Sequence, residues 1–185
     1  MRETFLVLML TLTAIAFFPA CDKDDPEIPN EEEVITTLNY TLTTTSGDTI
    51  VLTFQDLDGD GGAAPTITGG TLATNQTYTG TMELLNETES PAEDITGEIE
   101  EEDEDHQFFF QSTITGLTIA YNDQDANGNP VGLHSTLTTG AVGSGSITII
   151  LRHKPNKSAS GVSDGDITNA GGETDIEITF PIDVQ

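Results

Sequence analysis

Two loops of the chain carry side chains of the type that binds cations. They read Asp56-Leu57-Asp58-Gly59-Asp60-Gly61 and Asp123-Gln124-Asp125-Ala126-Asn127-Gly128, and both follow the pattern D-x-D-x-[DN]-G. Carboxylates at alternate positions can turn inward around one ion, and the glycine permits the sharp bend that brings them together. The pattern therefore predicts calcium loops, with Asp56, Asp58 and Asp60 as ligands in the first and Asp123, Asp125 and Asn127 in the second.

Neither loop is an EF-hand. Position twelve, where a bidentate Glu belongs, is Ile67 in the first loop and His134 in the second. Short Asp and Asn side chains also bond their own backbone in tight turns, which needs no metal. Partial calcium loops on a β-scaffold and metal-free turns are thus two competing hypotheses.

The elements that must position these loops are strands. Apolar residues alternate with polar ones, often Thr, in seven stretches: Leu38 to Leu42, Ile50 to Phe54, Tyr78 to Leu84, Phe108 to Phe110, Leu117 to Tyr121, Ile147 to Leu151 and Ile176 to Val184. A period of two indicates strands with one buried face. Many short strands separated by Gly-containing turns predict an all-β protein, an antiparallel β-sandwich of Ig-like type.

One segment interrupts the strand pattern. Ser90-Pro91-Ala92-Glu93 has the form of a capping box with Pro at the first helical position. It predicts one inserted acidic helix from about Pro91 to Glu104, with Ile95 and Ile99 on its apolar side. The acidic run from Glu100 to Asp105 falls at the helix C-terminus, where the helix dipole disfavours negative charge.

The turn Thr115-Gly116 predicts how this helix meets the second Asp loop. If it closes a two-residue hairpin, Phe110 lies opposite Tyr121, and His106 lies opposite Asp125. Glu102 and His106 would then join Asp123 and Asp125 around a divalent ion. Calcium is expected if only oxygens bind, and zinc or copper if His106 is a ligand. The alternative is a solvated acidic pole. His106 and His153 both have core-facing parity, which is more typical of packing residues.

Charge and composition exclude several functions. The chain has 5 Lys and Arg against 32 Asp and Glu, a formal net charge of -27. Such a surface repels nucleic acid and anionic membrane and concentrates cations. A glycosidase cleft needs aromatic walls, but the chain has no Trp and only 3 Tyr. No Ser-His-Asp or Cys-His arrangement is evident, so we expect no enzyme.

The N-terminus predicts a lipoprotein. Arg2 precedes an apolar run from Phe5 to Phe18, and Ala20 precedes the sole cysteine, Cys21. The run is short for a membrane span, and a small residue before cysteine suits a peptidase that cleaves at a diacylated thiol. We expect residues 1–20 to be a signal peptide, residues 21–33 an acidic tether lipidated at Cys21, and residues 34–185 the sandwich domain. The membrane is then contacted through the lipid anchor.

The residues after Cys21 resemble those of Bacteroidota lipoproteins, in which a Lys and two acidic residues, here Lys23-Asp24-Asp25, mark export to the outer face of the outer membrane. Asp22 supports a competing hypothesis, because Asp at this position means inner-membrane retention in enteric bacteria. The body of the chain is similar to small flavobacterial lipoproteins, through LTFQDLDGDGG, YNDQDANGNPVGL and NAGGETDIEITFPI. Members are usually called hypothetical or assigned to the type 1 periplasmic-binding fold, an α/β fold that the strand pattern here contradicts.

Together these features predict a lipid-anchored, surface-exposed lipoprotein of the outer membrane that captures a divalent cation or a partner. A TonB-dependent transporter is the candidate partner. The alternative is a structural or adhesion sandwich without a metal ligand.

Overall fold

Eleven strands and one α-helix make up the part of the chain that the computed structural model describes, residues 33–59 and 62–185. The strands are β1 (Thr37–Thr44), β2 (Thr49–Gln55), β3 (Thr66–Thr68), β4 (Gly70–Leu72), β5 (Thr77–Asn86), β6 (Glu93–Asp94), β7 (His106–Ser112), β8 (Thr118–Tyr121), β9 (His134–Thr138), β10 (Gly143–His153) and β11 (Glu173–Val184). The helix is α1 (Ile95–Glu101), and two short 3-10 turns span Val162–Asp164 and Ile167–Asn169.

The strands form where the apolar alternation predicted them. In β5 and β11 buried and exposed residues alternate almost without a break. Thr occupies many of the exposed positions, since its branched Cβ suits a pleated surface and its hydroxyl can face water. The apolar face of each sheet must be shielded from water, and the two sheets shield each other's apolar faces.

Two sheets pack face to face. The first has the order β3-β2-β1-β5-β9-β8, with β6 beside β5, and the second has the order β4-β11-β10-β7. All pairs are antiparallel except β4 with β11. The orders β1-β5-β9-β8 and β7-β10-β11 are those of strands ABED and CFG in a constant-type immunoglobulin domain. The predicted Ig-like β-sandwich is therefore confirmed, with β2 and β3 added at the edge of the first sheet.

The core lies between the sheets. Its fully buried side chains include Tyr40, Tyr78, Phe108 and Phe180. A smaller apolar cluster, Phe109, Ile150, Val162 and Ala170, lies on the outer face of the second sheet beneath the segment that joins β10 to β11.

The predicted hairpin between β7 and β8 is wrong. β7 pairs with β10 in the second sheet, whereas β8 pairs with β9 in the first. The Thr115-Gly116 turn is present, closed by a hydrogen bond from Leu117 N to Ile114 O, but it carries the chain from one layer to the other. Phe110 and Tyr121 do meet, through rings 5.9 Å apart across the core rather than as strand neighbours.

The helix is shorter than predicted and is capped by another residue. Glu93 and Asp94 pair with β5, and Asp94 is the N-cap, with its carboxylate accepting from Gly97 N at 3.3 Å. The predicted Ser90 capping box is therefore wrong. Ile95 and Ile99 are buried against the core, as their spacing indicated.

Candidate metal centre

Four side chains capable of binding a metal converge at one end of the sandwich. They are Glu33, His106, His153 and Asp175, which we call the His-carboxylate cluster. One ligand atom from each residue lies within 4.8 Å of the corresponding atoms of the other three. Two of the residues are histidines and two are acids, so the cluster offers nitrogen and oxygen donors together.

The two histidines are positioned by strand register. His106 is the first residue of β7, His153 is the last of β10, and they are direct partners in the β7–β10 pair. Directly opposed residues on one sheet face lie close enough to touch. Their rings stack with centroids 4.6 Å apart and an interplanar angle of 28°. Both side chains point into the sandwich, with exposed fractions of 0% and 3%.

A β-bulge brings Asp175 into the cluster. The partners in the β10–β11 pair are Leu151 with Ile176 and then Arg152 with Thr174, so Asp175 is the extra residue on β11. A bulge redirects a side chain that regular alternation would place on the other face. Asp175 consequently has a fully buried side chain, whereas Glu177, two residues on, is exposed. Asp175 Oδ1 lies 3.9 Å from His153 Nδ1.

Glu33 enters the cluster from the segment that precedes β1. Its Oε1 lies 3.0 Å from His106 Nε2, and its side chain is 8% exposed. Glu33 was predicted to be the last residue of the tether, yet it packs against the sandwich. Among the described residues, its second oxygen, Oε2, is buried and has no hydrogen-bond partner.

Hydrogen bonds orient His106 as they orient metal-binding histidines. Nδ1 lies 3.1 Å from the carbonyl oxygen of Glu102, which can only accept, so Nδ1 carries the hydrogen. Metal-ligating histidines usually donate their other ring N–H to a carbonyl or carboxylate in this way. Nε2 is then the atom that faces Glu33 and the cluster.

Glu33 and His106 shift each other's pKa towards the charged form. Burial disfavours the imidazolium of His106, but the hydrogen bond to Glu33 and the negative charges of Glu33 and Asp175 outweigh it and raise the pKa of His106. The hydrogen bond from His106 lowers the pKa of Glu33 against the opposing effect of burial. A divalent cation bound at Nε2 would replace the proton that His106 donates to Glu33, and its charge would then balance the two carboxylates.

The spacing suits a small, four-coordinate ion. Zinc ligand distances of about 2.0–2.2 Å place the corners of a tetrahedron roughly 3.3–3.6 Å apart. Two contacts in the cluster, 3.0 Å for Glu33 with His106 and 3.9 Å for Asp175 with His153, lie on either side of that range. The other ligand-atom pairs lie within 4.8 Å, so a pair at that limit would have to close by roughly 1.2 Å to complete such a shell.

The second Asp loop holds a cation of the protein's own. Lys157 Nζ donates to Asp125 Oδ2 at 3.1 Å, to Asp103 O at 2.5 Å and to Pro130 O at 3.2 Å. Lys157 is only 6% exposed. The helix end and this loop thus share one pole, as predicted, but they are joined by a lysine.

The remaining carboxylate oxygens of this loop accept hydrogen bonds from the chain. Asp125 Oδ1 accepts from the amides of Asn127 and Asn129, both at 2.9 Å. Asp123 accepts from Gly132 N and His134 N, both at 2.8 Å. The bonds of Asp125 form the self-bonded turn of the metal-free hypothesis, whereas Asp123 bonds to the segment that leads into β9.

His106 and Glu102 do not join the loop. His106 faces Glu33, and Glu102 contributes its carbonyl to His106 while its side chain is exposed. The predicted grouping of these two residues with Asp123 and Asp125 is therefore wrong, because it depended on the β7–β8 hairpin.

The first Asp loop has the same turn chemistry. Asp56 Oδ1 accepts from Asp58 N at 3.3 Å and from Gly59 N at 3.0 Å, and Asp58 Oδ2 accepts from Ala63 N at 2.9 Å. Asp60 lies outside the described residues. A calcium ion at this loop stays a prediction.

The sequence contained part of the signal for the His-carboxylate cluster. The strand parity of His106 and His153 predicts that both face the core, but it does not distinguish a packing residue from a metal ligand. Asp175 has the parity of an exposed residue, and only the bulge turns it inward. Glu33 falls in an acidic, Pro-containing run whose composition indicates a tether.

Comparisons with known proteins add little. No protein-family profile matches the sequence, and no curated protein matches it. Among solved structures, the chain has a weak likeness to domains 4 and 5 of the S-layer protein SbsC, with a TM-score of 0.31 and 16% identity over 78% of this chain and 75% of that one. In residues 33–59 and 62–185 there is no helix of the length and apolarity needed to cross a membrane.

Proposed function

We propose that this protein is a lipid-anchored lipoprotein, displayed on the surface of the outer membrane, that captures a divalent transition-metal ion. The observation that carries the proposal is the convergence of Glu33, His106, His153 and Asp175 on one buried point. Buried ionisable groups are costly unless each is paired or coordinates a metal. Four of them from four separate segments form a preorganised shell.

The donor set favours zinc or copper over calcium. Calcium takes six to eight oxygen ligands, and imidazole nitrogen suits zinc, copper and nickel. Two imidazoles and two carboxylates supply only four donors in the monodentate mode. The metal is therefore expected at the His-carboxylate cluster rather than at the Asp loops.

The acidic surface assists capture. A net charge of -27 raises the local concentration of cations around the protein and increases their association rate. The lipid on Cys21 would hold the site at the membrane. A TonB-dependent transporter, which imports scarce nutrients across the outer membrane, is the partner that fits this role.

Calorimetry on the purified full-length protein, stripped with a chelator, tests the proposal. Zinc and copper should bind with one ion per chain, and calcium should give no comparable heat. Free zinc at a concentration of about a hundred times the dissociation constant should raise the free energy of unfolding by about 2.7 kcal/mol.

Matched histidine variants localise the site. His106→Ala and His153→Ala should abolish binding, whereas His134→Ala, at an exposed strand position, should bind like the wild type. Heats equal to the buffer blank, or binding that survives both cluster substitutions, would refute the proposal and favour the structural or adhesion domain without a metal.

A further inference from the structure

The His-carboxylate cluster joins two parts of the fold. His106, His153 and Asp175 lie on β7, β10 and β11, which are neighbours in the second sheet. Glu33 lies on the segment that leads into β1, a central strand of the first sheet. An ion bound to all four would therefore connect this segment to the opposite layer.

Three of the four ligands are held by their strands. His106 and His153 are fixed by direct backbone pairing, and Asp175 is fixed by the bulge between paired residues on both sides. Their separation is set by the sheet and changes little when other contacts change. They form a rigid three-ligand face.

Glu33 is held differently. Among the described residues, pairing of this segment with the first sheet begins at Thr36, whose N–H donates to Leu85 O at 3.0 Å. Val34 is 55% exposed, and Ile35 is only partly buried. The contact of Glu33 with His106 is thus a main attachment of the residues before Thr36.

The unused oxygen of Glu33 points to a ligand. The side chain is more than nine-tenths buried, and its Oε2 has no hydrogen-bond partner among the described residues. An unsatisfied buried carboxylate oxygen is unfavourable, and coordination of a cation would satisfy it.

We infer that a bound zinc ion fastens Glu33 to the second sheet. It would thereby hold residues 33–35, the junction where the predicted tether joins the sandwich. We call this role of the ion the clasp. This inference rests on the proposed metal site and adds a role for its fourth ligand. With zinc bound, the chain leaves the domain at a fixed point. Without zinc, the contacts that residues 33–35 make with the rest of the described chain include the Glu33–His106 pair and the packing of Ile35 against the core.

Hydrogen exchange read by mass spectrometry tests the clasp on the full-length protein. Saturating zinc should slow exchange of the Val34 and Ile35 amides by about tenfold relative to the chelator-treated protein. Amides in the middle of β5 provide the internal reference, because they report global stabilisation. Slowing at the junction should exceed the slowing at that reference.

Glu33→Gln separates the clasp from the site. This variant keeps the three-ligand face, so zinc binding should weaken by about tenfold or more, and saturating zinc should no longer slow exchange at Val34 and Ile35. Glu177→Gln, an exposed position on β11, should behave as the wild type in both measurements.

The outcomes distinguish the two proposals. If zinc does not bind the wild type at all, the metal site itself is refuted. If zinc binds but junction exchange does not change, or if Glu33→Gln retains wild-type affinity and protection, the site stands and the clasp is refuted.

Discussion

The ammonium group of Lys157 lies 3.1 Å from the carboxylate of Asp125, and both side chains are buried, with exposed fractions of 5% and 1%. Backbone carbonyls of Asp103 and Pro130 complete the shell of Lys157. The pair ties the end of the α1 segment, the loop before β9 and the segment after β10 to one another. It occupies the pole where the sequence indicated an external cation.

Loss of the Asp125 charge should destabilise the protein. Asp125→Asn leaves the ammonium of Lys157 buried without its counter-charge, and breaking a buried pair by removing one partner costs roughly 3 kcal/mol. Urea unfolding measures the change. Asp183→Asn, an exposed position on β11, is the matched control and should change stability by less than about 0.5 kcal/mol. Equal effects of the two substitutions would contradict a structural role for the pair.

The same pair should make stability depend on pH in the acid range. Burial raises the pKa of Asp125, but the hydrogen bonds from Asn129 and Lys157 outweigh it, so the pKa is lowered in the folded protein. A lowered pKa stabilises the fold above the unfolded value, about pH 3.9, and this contribution is lost as the pH falls through the folded value.

Unfolding of the wild type and of Asp125→Asn, measured from neutral pH down to about pH 3, checks this sign. The stability difference between the two proteins should be constant near neutrality and should shrink in the acid range. A difference that grows on acidification would show that the pKa of Asp125 is raised instead.

Most of the fold could be predicted because it depends on local pattern. Alternating apolar residues such as Ile176 to Val184 require a strand with one buried face, and several such strands require two sheets. The partner of each strand was not predictable in this way. The turn at Thr115-Gly116 is compatible with a hairpin and with a crossing between layers. The crossing is formed because β7 pairs with β10 and β8 pairs with β9.

The candidate site could be predicted only in part, because it depends on contacts that are distant in sequence. Glu33 and His106 are 73 positions apart, and nothing local to Glu33 indicates that it is buried. The inward turn of Asp175 depends on a bulge, which shifts the alternation by one residue. The Asp loops have the stronger local pattern. At Asp125, however, the cation that the carboxylate binds is the ammonium group of Lys157, 32 positions away.

Gly132 should be sensitive to substitution. Its φ is +99°, and an added Cβ would lie 2.7 Å from the Cβ of Phe108 and 3.1 Å from the Tyr121 ring. Gly132→Ala should therefore cost roughly 1–2 kcal/mol for the left-handed backbone and about 1–3 kcal/mol more for overpacking. Gly47→Ala, with φ +93° and open space around it, should lose only the backbone part. Similar unfolding free energies for the two variants would contradict close packing at Gly132.

The helix cap distinguishes the structure from the sequence prediction. Asp94→Ala removes the carboxylate that accepts from Gly97 N and should cost about 1 kcal/mol in thermal or urea unfolding. Ser90→Ala changes the residue that the predicted capping box would use, and it should leave helix α1 and the stability of the protein nearly unchanged. A larger loss of stability for Ser90→Ala than for Asp94→Ala would contradict Asp94 as the N-cap and favour the predicted cap at Ser90.

The lipid anchor can be tested independently of the metal. Cys21→Ala removes the thiol that a lipoprotein peptidase requires, so the protein should accumulate as a precursor that retains residues 1–20, as measured by intact mass.

Protease treatment of whole cells expressing the wild type should release the sandwich domain if the anchor places it outside the cell. Replacing Lys23, Asp24 and Asp25 together by Ala should leave lipidation intact but protect the domain from the protease, because the residues that resemble the export signal are gone. Survival of the wild-type domain under conditions that cleave a known surface protein would place it inside the cell envelope, in agreement with the inner-membrane hypothesis based on Asp22.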